Sequence, residues 1–119
     1  MTSTALLDES GLRVHLDRWA ATLGLSRRKF HIPRADIVSI YNVTAKDARR
    51  LLRFRIAGTA VPGWWLMGWF SRSMRDGRRA WVWVTPKREL IAIETTQKNR
   101  SLVVLPRDWF ADAPASFSG

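Results

Sequence analysis

The chain contains no cysteine. That excludes disulfide scaffolds, thiolate zinc sites, thiol nucleophiles and iron–sulfur clusters, and it fits a reducing compartment. Histidine is scarce too: His15 and His31 have neither a neighbouring histidine nor paired carboxylates at metal-ligand spacing, so each reads as decoration of an exposed strand face. Acids stand singly apart from Asp8-Glu9. Ser71 and Ser73 lack a nucleophile-elbow pattern, and residues 58–63 lack the glycine spacing and Lys-Ser/Thr ending of a phosphate loop. The expectation is a protein that is not an enzyme, with no catalytic residue, no metal and no cofactor.

Long hydrophobic runs are also missing. The longest uncharged stretch, Ile56 to Ser71, falls short of the ~20 apolar residues of a spanning helix, and Pro62, Gly58, Gly63 and Gly68 interrupt it. Near Met1 there is no basic segment followed by an apolar core, so the expected address is cytoplasmic, with the inner face of the plasma membrane as the station for a peripheral protein.

Lysine is rare as well, limited to Lys29, Lys46, Lys87 and Lys98. Arginine therefore dominates the positive charge. Twenty basic residues against ten acidic give +10, a balance suited to polyanionic partners such as membrane surfaces or nucleic acid. An arginine- and alanine-rich chain is also what GC-rich coding writes, which is the competing reading of that charge. The apolar fraction of 46% in 119 residues is enough for one domain with its own core.

Leu12, Val14 and Leu16 alternate with Arg13, His15 and Asp17, the period of a half-buried strand. Trp19, Ala21, Leu23 and Leu25 take the opposite parity, which predicts a long bent strand or a bulge near Arg18. A turn over residues 24–28 leads back through Phe30 and Ile32, making a hairpin closed by Pro33. Ile37 to Val43 is β-branched and predicts a third strand. Thr44 with Asp47 three positions later resembles a capping box for a short helix ending near Ile56, and Gly58, Pro62 and Gly63 mark a loop.

Trp64 to Phe70 is a candidate strand. Asp76-Gly77 predicts a tight hairpin turn into Ala80–Thr85, and Leu90–Thr95 and Ser101–Leu105 complete seven strands. Asp108 caps a final helical turn or two, with Trp109 and Phe110 packing back on the sheet. Short strands with regularly spaced turns indicate a sandwich or small barrel.

The segments GTAVPGWWLMGWFSRSM, AWVWVTPKRELIAIET and SLVVLPRD, with Gly58, Thr59, Pro62, Gly63 and Gly68, resemble bacterial, particularly actinobacterial, pleckstrin-homology-like (PH-like) proteins. The resemblance covers residues 12–113. It implies a mostly β fold, a seven-stranded antiparallel sandwich or partly open barrel with one short helix after the third strand and a short C-terminal helical cap. Residues 1–11 are then a flexible N-terminus and 114–119 a flexible tail. The family's closing helix is usually longer than residues 107–113 supply, so Trp109 and Phe110 plug the barrel end or leave it more open.

Function is expected to be that of a non-catalytic binding module, first of all peripheral association with an anionic membrane surface. Arg72, Arg75, Arg78 and Arg79 would meet phosphates, and Trp65 and Trp69 would sit at headgroup level. The competing reading has Trp64, Leu66 and Phe70 facing the core while Trp65, Met67 and Trp69 cover another layer. Arg27, Arg28 and Lys29 form the alternative basic site, since in lipid-binding PH domains the first hairpin supplies basic residues to a headgroup. In a simple up-and-down order the two clusters lie at opposite ends. Arg49, Arg50, Arg53 and Arg55 suit a solvated helix face. The alternative function is a protein-interaction or self-assembly module using strand addition. Nucleic-acid binding is the weaker rival, because no RNA- or DNA-binding motif accompanies the basic turns.

Overall fold

The computed structural model describes residues 3–18, 29–50, 52, 55–61, 65–71, 77–85, 89–110 and 117–118. Two sheets form from them. β1 (Thr4–Asp8), β2 (Gly11–His15) and β3 (Lys29–Pro33) make an antiparallel three-stranded sheet. The larger sheet holds β4 (Ile37–Val43), β5 (Arg55–Val61), β6 (Trp65–Ser71), β7 (Arg79–Val84), β8 (Leu90–Thr95), β9 (Leu102–Pro106) and β10 (Phe117–Ser118) in the order β10-β4-β8-β9-β7-β6-β5. It is open, not a closed barrel, with β10 and β5 as edges among the described residues.

Side-chain parity in the central strands builds two cores. Trp81, Ile91, Ile93, Val103 and Leu105 face the small sheet and pack with Leu12, Val14, Phe30 and Ile32. Val82, Val84, Leu90, Ala92, Leu102 and Val104 face the other way, where Ala48 of helix α1 (Ala45–Arg50) covers them. The order of layers is therefore small sheet, large sheet, helix. Trp81 is fully buried, and its ring meets Phe30 edge-on with centroids 5.6 Å apart.

Helix α1 begins as its sequence requires. Thr44 Oγ1 accepts the Asp47 N–H at 3.2 Å, satisfying a donor that the first turn leaves without a helical partner. The described helix runs only to Arg50. Arg55 and Ile56, expected at its end, instead open β5, and the predicted loop at Gly58 is the middle of that strand. β5 pairs with β6 from Arg55↔Phe70 to Val61↔Trp65, so only residues 62–64 connect them.

Other expectations also change. Ten strands are described where seven were expected. Residues 1–11, expected as a flexible lead, instead contain β1: Thr4–Asp8 pairs with β2 from Thr4↔His15 to Asp8↔Gly11. Alternation explains it: Ala5 is buried between the exposed Thr4 and Leu6. β2 ends at His15 and the chain is already helical at Arg18, so the parity switch marks a strand end rather than a bend. Residues 19–28 lie outside the described ones. The tail also contributes, since Phe117 and Ser118 pair with β4.

The large sheet is not purely antiparallel. β9 inserts between β7 and β8 and runs parallel to β7, Trp81 opposite Val103. All five of its residues, Leu-Val-Val-Leu-Pro, are buried, and a strand with no polar face belongs at the centre of a sheet covered on both sides. The expected C-terminal helical cap is a single 3-10 turn, Arg107–Trp109, among the described residues. No helix among them is long and apolar enough to cross a membrane.

Candidate functional site

Among the described residues β6 and β7 pair from Leu66↔Val84 to Ser71↔Arg79, and residues 72–76, with Asp76 of the expected turn, lie outside them. Gly77, at φ +69°, supplies the left-handed conformation expected of it. Arg79 turns toward another part of the chain. Its N–H donates to the Lys98 carbonyl at 2.9 Å, and its own carbonyl accepts the Ser101 N–H at 2.8 Å and the Ser101 hydroxyl at 3.0 Å. The β6–β7 and β8–β9 connections are thereby fastened together, which sets exposed Arg78 and Arg79 beside exposed Lys98.

Arg100, in the same β8–β9 connection, reaches across to the small sheet. Its guanidinium lies 4.6 Å from the Phe30 ring centre and 5.2 Å from that of Trp69, a stacked cation that holds β3 and β6 at one place. Lys29, exposed, directly precedes Phe30. Arg78, Arg79 and Lys98 therefore gather at one flank of the sandwich, whereas Lys29 stands on the outward face of the small sheet. Asp36 braces this flank by accepting a hydrogen bond from the Gln97 side chain at 3.0 Å.

Of the residues singled out in the sequence, Arg78, Arg79 and Lys29 are exposed, the first two at the flank with Lys98 and Lys29 on the small sheet. Arg72, Arg75, Arg27 and Arg28 lie outside the described residues. Trp69 is half-buried against the inter-sheet core, its indole engaged by Arg100, so it covers a second layer as the competing reading held. Trp65 is placed by its backbone at the start of β6. Lys98 and Arg100 were missed: the stretch Gln97–Arg100 reads only as a turn, and its approach to Arg79 depends on β9 lying next to β7, a pairing distant in sequence.

A second built feature sits at the β1–β2 turn. Asp8 Oδ1 accepts the Ser10 N–H at 2.8 Å and the Ser10 hydroxyl at 2.6 Å. Arg13 Nη2 donates to Ser10 Oγ at 3.1 Å, and His31 Nε2–H donates to the Ser10 carbonyl at 2.9 Å. The Ser10 hydroxyl above all, then its N–H and the nearby Arg13 charge, hold the Asp8 carboxyl below its ordinary pKa. Gly11 makes the turn possible: at φ +124° it lies so close to β3 that a Cβ would sit 2.0 Å from the Ile32 carbonyl oxygen. Among the described residues no group of three or more His, Cys, Asp or Glu could hold a metal ion.

Neither protein-family models, nor curated proteins, nor solved structures contain a match to this chain. What the fold defines is a mostly β, two-sheet protein with one short helix among its described residues and a basic flank.

Proposed function

We propose that the protein is a non-catalytic binding module that attaches peripherally to an anionic membrane surface through the flank where Arg78, Arg79 and Lys98 meet. The observation that carries this reading is the Arg79–Lys98 backbone hydrogen bond, which turns two separate basic turns into one cluster. At about 1 kcal/mol per basic residue near an anionic leaflet, these three contribute on the order of 3 kcal/mol, weaker than millimolar binding. The sequence adds Arg72 and Arg75 before Arg78. All five acting together would contribute about 5 kcal/mol, which is submillimolar affinity by the same scale. Such attachment weakens with salt, so co-sedimentation with anionic and zwitterionic vesicles over a salt series tests it, and equal binding to both vesicle types would end it.

Kinship with PH-like proteins belongs to the same proposal. The two-sheet, β-rich architecture supports it, while the parallel β7–β9 pair departs from the antiparallel pattern that the resemblance implies. A second reading, a protein-interaction or self-assembly module, draws on β5, which has a strand neighbour on one side only among the described residues. It predicts a salt-insensitive oligomer or complex in size-exclusion chromatography.

A further inference from the structure

The outward face of the small sheet is unlike the rest of the surface. With Ala5, Val14 and Phe30 turned to the core, the alternate positions present Thr4 and Leu6 on β1, His15 and Arg13 on β2, and Lys29 and His31 on β3. They border a groove of about 600 Å³ that Trp109 also lines, a size that suits a small organic ligand.

The two sides of this groove differ in chemistry. On the β1 side stand Leu6, which at 51% exposure is the most exposed of the large hydrophobic side chains described, and Trp109, brought alongside by the Ala5↔Phe110 bridge. On the other side His15 lies directly opposite Lys29, and Arg13 opposite His31. Side chains facing each other across antiparallel strands have Cβ atoms about 5 Å apart, so this side gathers two cations, Arg13 and Lys29, with an imidazole opposite each. Among the described residues no carboxylate lines the groove; the nearby Asp8 is committed to Ser10. Arg13 spends one donor on Ser10 and keeps others, and the Ser10 bonds fix both Arg13 and His31.

We infer that this groove binds a small anionic amphiphile, its carboxylate or phosphate head held by Arg13 and Lys29 with the histidines beside them, and its apolar chain lying over Leu6 and Trp109. The head pairs with the two cations, and the chain covers a leucine that folding leaves in water. This face is separate from the basic turns at Arg78, Arg79 and Lys98.

The test is titration of the full-length protein, followed by calorimetry and by amide and indole NMR shifts, with decanoate, decyl phosphate, decanol and inorganic phosphate, the amphiphiles kept below their micelle concentrations. Saturable binding of decanoate or decyl phosphate is expected, with shifts at Leu6, His15 and the Trp109 indole. Decanol and inorganic phosphate should bind about tenfold or more weakly, because each lacks one half of the recognition. Arg13→Gln with Lys29→Gln should weaken the anionic amphiphiles by at least about tenfold; their exposed positions leave the fold intact, which an unchanged amide spectrum verifies. Arg78→Gln with Arg79→Gln should leave this binding as it is while reducing vesicle binding, which separates the two sites. Decanol or inorganic phosphate binding as tightly as decanoate, no saturable binding, or full affinity in the Arg13/Lys29 variant would each overturn the inference.

Discussion

The Arg100 guanidinium stands 4.6 Å from the centre of the Phe30 ring, and the same group lies 5.2 Å from that of Trp69. One cation thus ties the β8–β9 connection to both sheets. Replacing Arg100 by Ala should cost about 1–2 kcal/mol, the sum expected for two partly exposed cation–π contacts. Urea unfolding measures it; Arg100→Lys should recover only part, since an ammonium lacks the planar stacking surface.

Gly11→Ala should be among the most damaging small substitutions. The added Cβ meets the Ile32 carbonyl oxygen at 2.0 Å, and the φ of +124° is strained for any L side chain. Backbone strain alone is worth about 1–3 kcal/mol, and the collision forces β2 and β3 apart. A loss of at least about 3 kcal/mol in denaturant unfolding is expected, with the Gly11↔Pro33 end of the hairpin losing amide protection first.

Thr44→Ala should destabilise the protein by about 1 kcal/mol, the usual value of an N-cap hydroxyl. Thr44→Ser should restore most of it, because only the oxygen that accepts the Asp47 N–H is needed.

Asp8 makes stability depend on acid. Its pKa is lowered in the folded protein, so its contribution is fully present above the unfolded carboxylate value, about pH 4, and disappears as pH falls through the lower folded value. Asp8→Asn should therefore flatten the stability profile on the acid side and leave its slope near neutrality unchanged. A side-chain carboxyl NMR titration checks the direction of the shift.

Much of this architecture is legible locally. Leu90–Thr95 matches its strand residue for residue, the Thr44 cap works as expected, and Leu12, Val14, Phe30 and Ile32 lie in the core. These features depend on alternation or on a single side chain near its own backbone. Where glycine and proline suggested a loop, as at Gly58, pairing with β6 overrides the local preference. The insertion of β9 between β7 and β8 has no local signature beyond its unbroken apolar run. That insertion puts Lys98 beside Arg79, so the basic flank was half visible: its arginines stand out as a run, whereas Lys98 and Arg100 join them only through the sheet order. Trp69 illustrates the reverse, an aromatic that suits a membrane anchor in the linear sequence and packs against the core in space.

Electrostatic attachment through the flank of Arg78, Arg79 and Lys98 is tested by vesicle co-sedimentation of the wild type against Arg78→Gln/Arg79→Gln/Lys98→Gln. With three charges at about 1 kcal/mol each, the triple variant should bind anionic vesicles on the order of 100-fold more weakly. Wild-type binding should fall as salt rises and be absent on zwitterionic vesicles. Undiminished binding by the triple variant, or equal wild-type binding to zwitterionic vesicles, would contradict the account.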